Sequence, residues 1–158
     1  MKNVSGGYGR KQVLYNIDAV FESNMITSVI GKNGCGKSTL LQMCCGLLTP
    51  SEGSITIDGV DIANIKHADL AKKISYLSQS HSAGSITVRS LVSHGRFPYL
   101  GYPRKYSSED KRKIADAMEL AEVTDIADKY ANELSGGQLQ RAYIAMLLAQ
   151  DTDIMLLD

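Results

Sequence analysis

The sequence predicts an α/β domain on a mainly parallel sheet, with strands and helices alternating along the chain. Three observations predict it. A short run rich in β-branched residues, "MITSVI" (25–30), leads into a glycine-rich loop, "GKNGCGKS", and then into the helical pattern "TLLQMCCGLL". A strand-like "ISYLSQ" (74–79) closes the first half. A final apolar run, "IMLL" (154–157), follows the helical "LQRAYIAMLLAQ" and delivers a carboxylate, Asp158.

The remaining elements follow in order. Residues 13–30 read as extended, since "VLYNIDAVF" alternates in part. The helix after the glycine loop stops near Gly46 and Pro50. "GSITIDGVDI" predicts a hairpin, with Ile55, Ile57, Val60 and Ile62 flanking the turn-forming Asp58-Gly59. "HADLAKKI" reads as a short helix. From 80 to 132 the texture changes: a loop "SHSAG", a short helix capped by Thr87, and an irregular "RFPYLGYPRKY". Ser107 and Asp110 then form a capping-box pattern over the solvated start "SSEDKRK", ahead of Ile114, Ala117, Met118 and Ala121 at helical spacing. The expected organisation is one domain, with a core of 1–79 and 133–158 and a helical insert at 80–132.

Composition narrows the function. The 158 residues suffice for one domain with a core, and apolar content of 44% is ordinary for a globular chain. Seventeen basic residues balance 17 acidic ones, so there is no basic excess to serve as an electrostatic footprint for nucleic acid or anionic lipid. Cys35, Cys44 and Cys45 have neither CxxC nor zinc-finger spacing, which favours a reduced compartment. The N-terminal "MKNVSGGYGRK" lacks a secretory apolar segment, and no uncharged run is long enough to span a bilayer. A membrane role would therefore act through a partner.

Gly31, Lys32, Asn33, Gly34, Cys35, Gly36, Lys37 and Ser38 fit the phosphate-loop pattern G-x-x-x-x-G-K-[ST]. A loop that wraps a triphosphate with its own N–H groups needs positions without side chains, and Gly34 and Gly36 supply them. The following helix aims its unpaired N–H groups and positive dipole end at the anion. Lys37 adds a charge for the outer phosphates, and the Ser38 hydroxyl suits Mg²⁺. This motif alone leaves kinase, GTPase, helicase and transport ATPase open. A second anion site stands at Ser135, Gly136 and Gly137 of "LSGGQ", where a hydroxyl and bare amides open a helix. Two such sites in one chain make sense if two chains face each other across their nucleotides.

Together these motifs resemble the ATP-binding cassette (ABC) family over essentially the whole chain: "GKNGCGKST" its phosphate loop, "YLSQ" its Q-loop, "LSGGQLQR" its signature and "DIMLLD" its second acidic motif. The resemblance implies a P-loop NTPase fold of the ABC ATPase type, with an antiparallel β piece and a helical insert. It implies ATP and Mg²⁺ as cofactors. Lys37, Ser38 and Thr39 match phosphate and Mg²⁺ contacts, and Gln79 matches a glutamine that senses Mg²⁺ and links it to a membrane partner. Ser135, Gly136, Gly137 and Gln138 match contacts to ATP across a head-to-tail dimer. Asp158 matches a Mg²⁺-holding carboxylate, and Tyr8 an aromatic that stacks on adenine. His67, His81 and His94 match nothing in the catalytic set.

The segments "TVRSLVSHGRFPYLG" and "SSEDKRKIADAMELAEV" resemble importer ATPases for iron-siderophore, haem or cobalamin uptake. Those lie on the cytoplasmic face of the membrane beside a permease and a substrate-binding protein. Arg96, Phe97 and Tyr99 are then candidate edges of the permease groove, with plain packing of the insert as the alternative. Importers of other small solutes, soluble ABC ATPases, and a non-catalytic nucleotide-binding remnant are the alternatives. Family members continue past the acidic strand with a water-activating glutamate and a later histidine. On that pattern Asp158 is expected to be a cut point. The domain would be incomplete and incompetent for hydrolysis, with an empty slot between residues 25–30 and 153–158.

Overall fold

A tight turn at Gly9-Arg10 folds the N-terminal residues into an antiparallel hairpin of β1 (Lys2–Tyr8) and β2 (Lys11–Ile17). The computed structural model describes residues 1–79 and 84–158, so His81 and most of the loop expected at 80–84 lie outside the described residues. Two compact units emerge: residues 1–70 with Asp158, and residues 71–157.

In the first unit, α1 (Lys37–Cys44) follows the glycine loop, and β3 (Glu52–Ser54) pairs with the free side of β1 to give the order β2-β1-β3. Val4, Leu14, Met43, Ile55 and Leu70 form its buried interior. The expected hairpin is present as β4 (Thr56–Ile57) and β5 (Val60–Asp61). Asp58 and Gly59 both take positive φ, as a two-residue turn between twisted strands requires. Helix α2 spans His67–Leu70, the first half of the short helix expected over "HADLAKKI".

The second unit is mostly helical. It begins with β6 (Ile74–Leu77) and includes α3 (Val88–Ser93), a 3-10 segment (His94–Tyr99), α4 (Ser108–Leu120) and α5 (Gly136–Gln150). Strand β7 (Ile154–Leu157) pairs with β6 in parallel. Thr87 caps α3 by accepting from the Ser90 amide, and the Ser107–Asp110 capping box opens α4. Ile114, Ala117, Met118 and Ala121 are buried against α3 and α5, as their spacing predicts.

Three expectations need correction. Strand β1 was not anticipated: "KNVSGGY" has two glycines and no alternation, yet Val4 and Ser5 are buried within it. Extended structure expected over 13–30 ends as a strand at Ile17, and residues 25–30 form none. A β-branched run becomes a strand only when its amides find a ladder, and among the described residues none pairs with it. The sheet expected to be mainly parallel is not: among the described residues parallel pairing is confined to β6–β7, the β1–β2 and β4–β5 hairpins being antiparallel because a short turn reverses the chain, and β3 joining β1 antiparallel as well.

Candidate functional site: a phosphate loop closed by a carboxylate

The glycine loop enters α1 through Gly36, which takes φ 102° and caps the helix without a side-chain hydrogen bond. That backbone angle favours glycine, and a Cβ there would also press on the end of the Leu14 side chain at 2.8 Å. Gly34 also has positive φ, with open space around it. The first turn of α1 carries no acidic residue of its own.

Lys37 reaches back over the loop. Its Nζ donates to the carbonyl oxygens of Gly31 and Lys32, each at 3.0 Å. An ammonium held by neutral carbonyls can exchange them for phosphate oxygens, which bind it more strongly. Ser38, one residue on, donates its hydroxyl to Asp158 Oδ1 at 2.8 Å across 120 residues of sequence. A hydroxyl and a carboxylate are hard oxygen donors of the kind Mg²⁺ prefers. These two residues fit the metal that the resemblance implies and would hold it. Thr39 is buried, and Cys35 is an exposed free thiol.

Tyr8, half exposed at the end of β1, donates its hydroxyl to Gln42 Oε1 on α1 at 2.8 Å. The first unit thus gathers Tyr8, residues 31–39 and Asp158. Gln79 and Ser135–Gln138 belong to the second unit. Gln79 is exposed, two residues beyond β6.

Ser135 is the N-cap of α5. Its Oγ accepts from the Gln138 amide at 3.4 Å, while Gln138 Oε1 accepts from the Ser135 amide at 3.1 Å. The Gln138 side chain, expected among nucleotide contacts, is engaged by its own helix cap. The S-x-x-Q spacing carried that signal. Gly136 and Gly137 are exposed, and neither would meet another atom through an added Cβ.

Arg96 is buried in packing rather than open at the surface. It is 5% exposed, its Nε donates to Asp110 Oδ1 at 2.8 Å, and its Nη1 donates to the Ala149 carbonyl at 3.0 Å. Its guanidinium also lies 3.8 Å from the centroid of the Tyr99 ring. The hydrogen bonds from Ser107, then the Arg96 guanidinium, hold the Asp110 carboxyl below its usual range despite burial. Phe97 keeps an exposed face, with Arg104 over its ring. No sequence signal pairs Arg96 with Asp110, because the partners come from different elements.

Comparison with known proteins gives a consistent picture. The sequence pattern of the ABC transporter family matches residues 14–158. The chain is 45% identical over 159 residues to the petrobactin import ATP-binding protein YclP of Bacillus subtilis, covering all of this chain and 62% of that protein. It is 42% identical over 153 residues to the ferric enterobactin transport ATP-binding protein FepC of Escherichia coli, covering 96% and 56%. The chain therefore spans about three-fifths of the length of the curated relatives it matches. Among solved structures, the dimeric bacterial ABC transporter cassette MJ0796 superposes with a TM-score of 0.83 at 30% identity, covering 99% of this chain and 72% of that one. The same cassette in a post-hydrolysis state bound to ADP and Pi gives 0.80 at 31% identity, with the same coverage.

Proposed function

This chain belongs to the ABC transporter family, and from that premise we propose that it is the ATP-binding part of an importer taking up an iron-siderophore-type substrate. The observation that carries the nucleotide reading is the Ser38–Asp158 hydrogen bond. It joins the phosphate loop to the acidic motif, the two places a Mg²⁺–triphosphate must be held. Residues 31–39 cradle the phosphates, Lys37 supplies charge, Ser38 and Asp158 hold the metal, and the Tyr8 ring takes the base. Bound Mg²⁺ contributes neutralisation of phosphate charge.

The importer reading is supported by the relatives named for petrobactin and ferric enterobactin transport. Ser135, Gly136 and Gly137 would contact the nucleotide of a facing second copy, as the dimeric cassette relatives suggest. Gln79 and the exposed face of Phe97 would meet a membrane permease from its cytoplasmic side. A substrate-binding protein would complete the system, with residues 80–132 as the helical insert.

We also propose that residues 1–158 alone turn over ATP slowly. Asp158, tied to Ser38, is a metal-side carboxylate and not a general base, a role usually worth about 10²–10⁴-fold. One experiment tests both statements: titration of residues 1–158 with MgATP, with phosphate release followed in parallel. Lys37→Ala is expected to weaken binding by about 1.5–3 kcal/mol, the worth of a charge-assisted contact. Unchanged affinity would refute the site, and phosphate release at the rate of a full-length relative would refute the slow turnover.

A further inference from the structure

The Tyr8 ring is 49% exposed, yet its hydroxyl is moored. It donates to Gln42 Oε1 at 2.8 Å, and the Thr39 hydroxyl approaches it at 3.5 Å. Thr39 and Gln42 stand three residues apart, one above the other on the same face of α1. An exposed aromatic is therefore pinned at its far end to the helix that the phosphate loop opens. The tether contributes little to the core, because the tyrosine lies mostly outside it. What it does is remove the rotamer freedom an exposed ring at a strand end would otherwise have.

The tether also spends the phenol's single proton. The ring is left with its face as the surface it can offer a base. We infer that Gln42 is a positioning residue, which holds Tyr8 as a preformed stacking platform for the nucleobase. Stacking is tolerant of base identity, because every base has a π-face. The platform therefore binds adenine and guanine with similar strength. The inference rests on the reading of the phosphate loop as a nucleotide site and adds the residue that organises its base-binding end.

The test uses residues 1–158 and three probes: MgATP, MgGTP and inorganic tripolyphosphate, each titrated by calorimetry. Gln42→Met keeps the length of the side chain and removes the acceptor. It is expected to weaken MgATP and MgGTP alike by about three- to tenfold, as for loss of one hydrogen bond, and to leave tripolyphosphate unchanged. Tripolyphosphate serves as the folding control. In a Tyr8→Phe background, which already lacks the tether, Gln42→Met is expected to have no further effect. Unchanged ATP affinity in Gln42→Met, an equal loss for tripolyphosphate, or an additive loss in the Tyr8→Phe background would each overturn the role of Gln42. A tenfold or greater preference between ATP and GTP would overturn the face-only platform. A wild-type chain that binds tripolyphosphate as tightly as MgATP overturns this inference and leaves the phosphate loop intact. One that binds neither overturns both.

Discussion

Single side chains in this protein divide by whether their role is written locally. The placing of Lys37 and Ser38 at the start of α1, behind a glycine loop, is legible from eight residues of sequence. The Tyr8–Gln42 contact is not, because it spans 34 residues and depends on a strand of glycine-rich sequence. The three cysteines show the same division. Cys35 is exposed in the phosphate loop, whereas burial pushes the Cys44 thiol up to about 11 and also raises Cys45. A rise from 9.0 to about 11 makes the Cys44 thiolate roughly 100-fold scarcer near neutral pH. Alkylation with N-ethylmaleimide at pH 8, followed by peptide mass spectrometry, is expected to label Cys35 first and Cys44 last, with the difference abolished in urea. Equal native rates for Cys35 and Cys44 would mean that the end of α1 is not packed as described.

At the scale of elements, local rules served the helices and failed some strands. The Thr87 cap, the Ser107–Asp110 box and the apolar stripe of α4 were readable because each is a pattern within a few residues. Residues 25–30 were not, since a strand needs a partner that sequence alone does not place. Asp110 has a second role that its cap conceals. One carboxylate oxygen serves Ser107, and the other takes Arg96, which also grips the last turn of α5 at Ala149. Arg96→Met leaves that carboxylate buried without its cation and is expected to cost about 3–5 kcal/mol. Urea unfolding measures this, and a loss below about 1 kcal/mol would contradict the buried pair. The pH dependence has a definite sign. Asp110 is held below its unfolded value near 3.9, so its contribution is full above that value and disappears as pH falls through the lowered one. The stability gap between wild type and Asp110→Asn should therefore shrink between pH 5 and the acid limit, and a gap constant across that range would refute the assignment.

Over the whole molecule, the fold class was legible because the motifs of a P-loop chain come in a fixed order. Residues 20–30 bring a cluster of exposed apolar side chains together in sequence. Ile26 is 99% exposed and Ile30 90%, with Val20 and Met25 also largely open. Isolated apolar residues at a surface are ordinary, but a run of them beside unpaired backbone is an aggregation hazard. Residues 1–158 are expected to bind the dye ANS and to scatter light at modest concentration. Val20→Lys with Ile26→Lys should lower both signals, and a double variant that scatters as before would place the sticky surface elsewhere.

The bond between Ser38 and Asp158 has one more consequence, and it concerns time. Its partners lie 120 residues apart, and a ribosome adding about 5–20 residues per second needs roughly 6–24 s to cover that distance. The glycine loop and α1 lie wholly within the first third of the chain. A nascent chain therefore carries the glycine loop and Lys37, beside a bare apolar run, for many seconds before Asp158 is made. On the proposed reading, the residues that would cradle a triphosphate are made well before the carboxylate that would help to hold its metal.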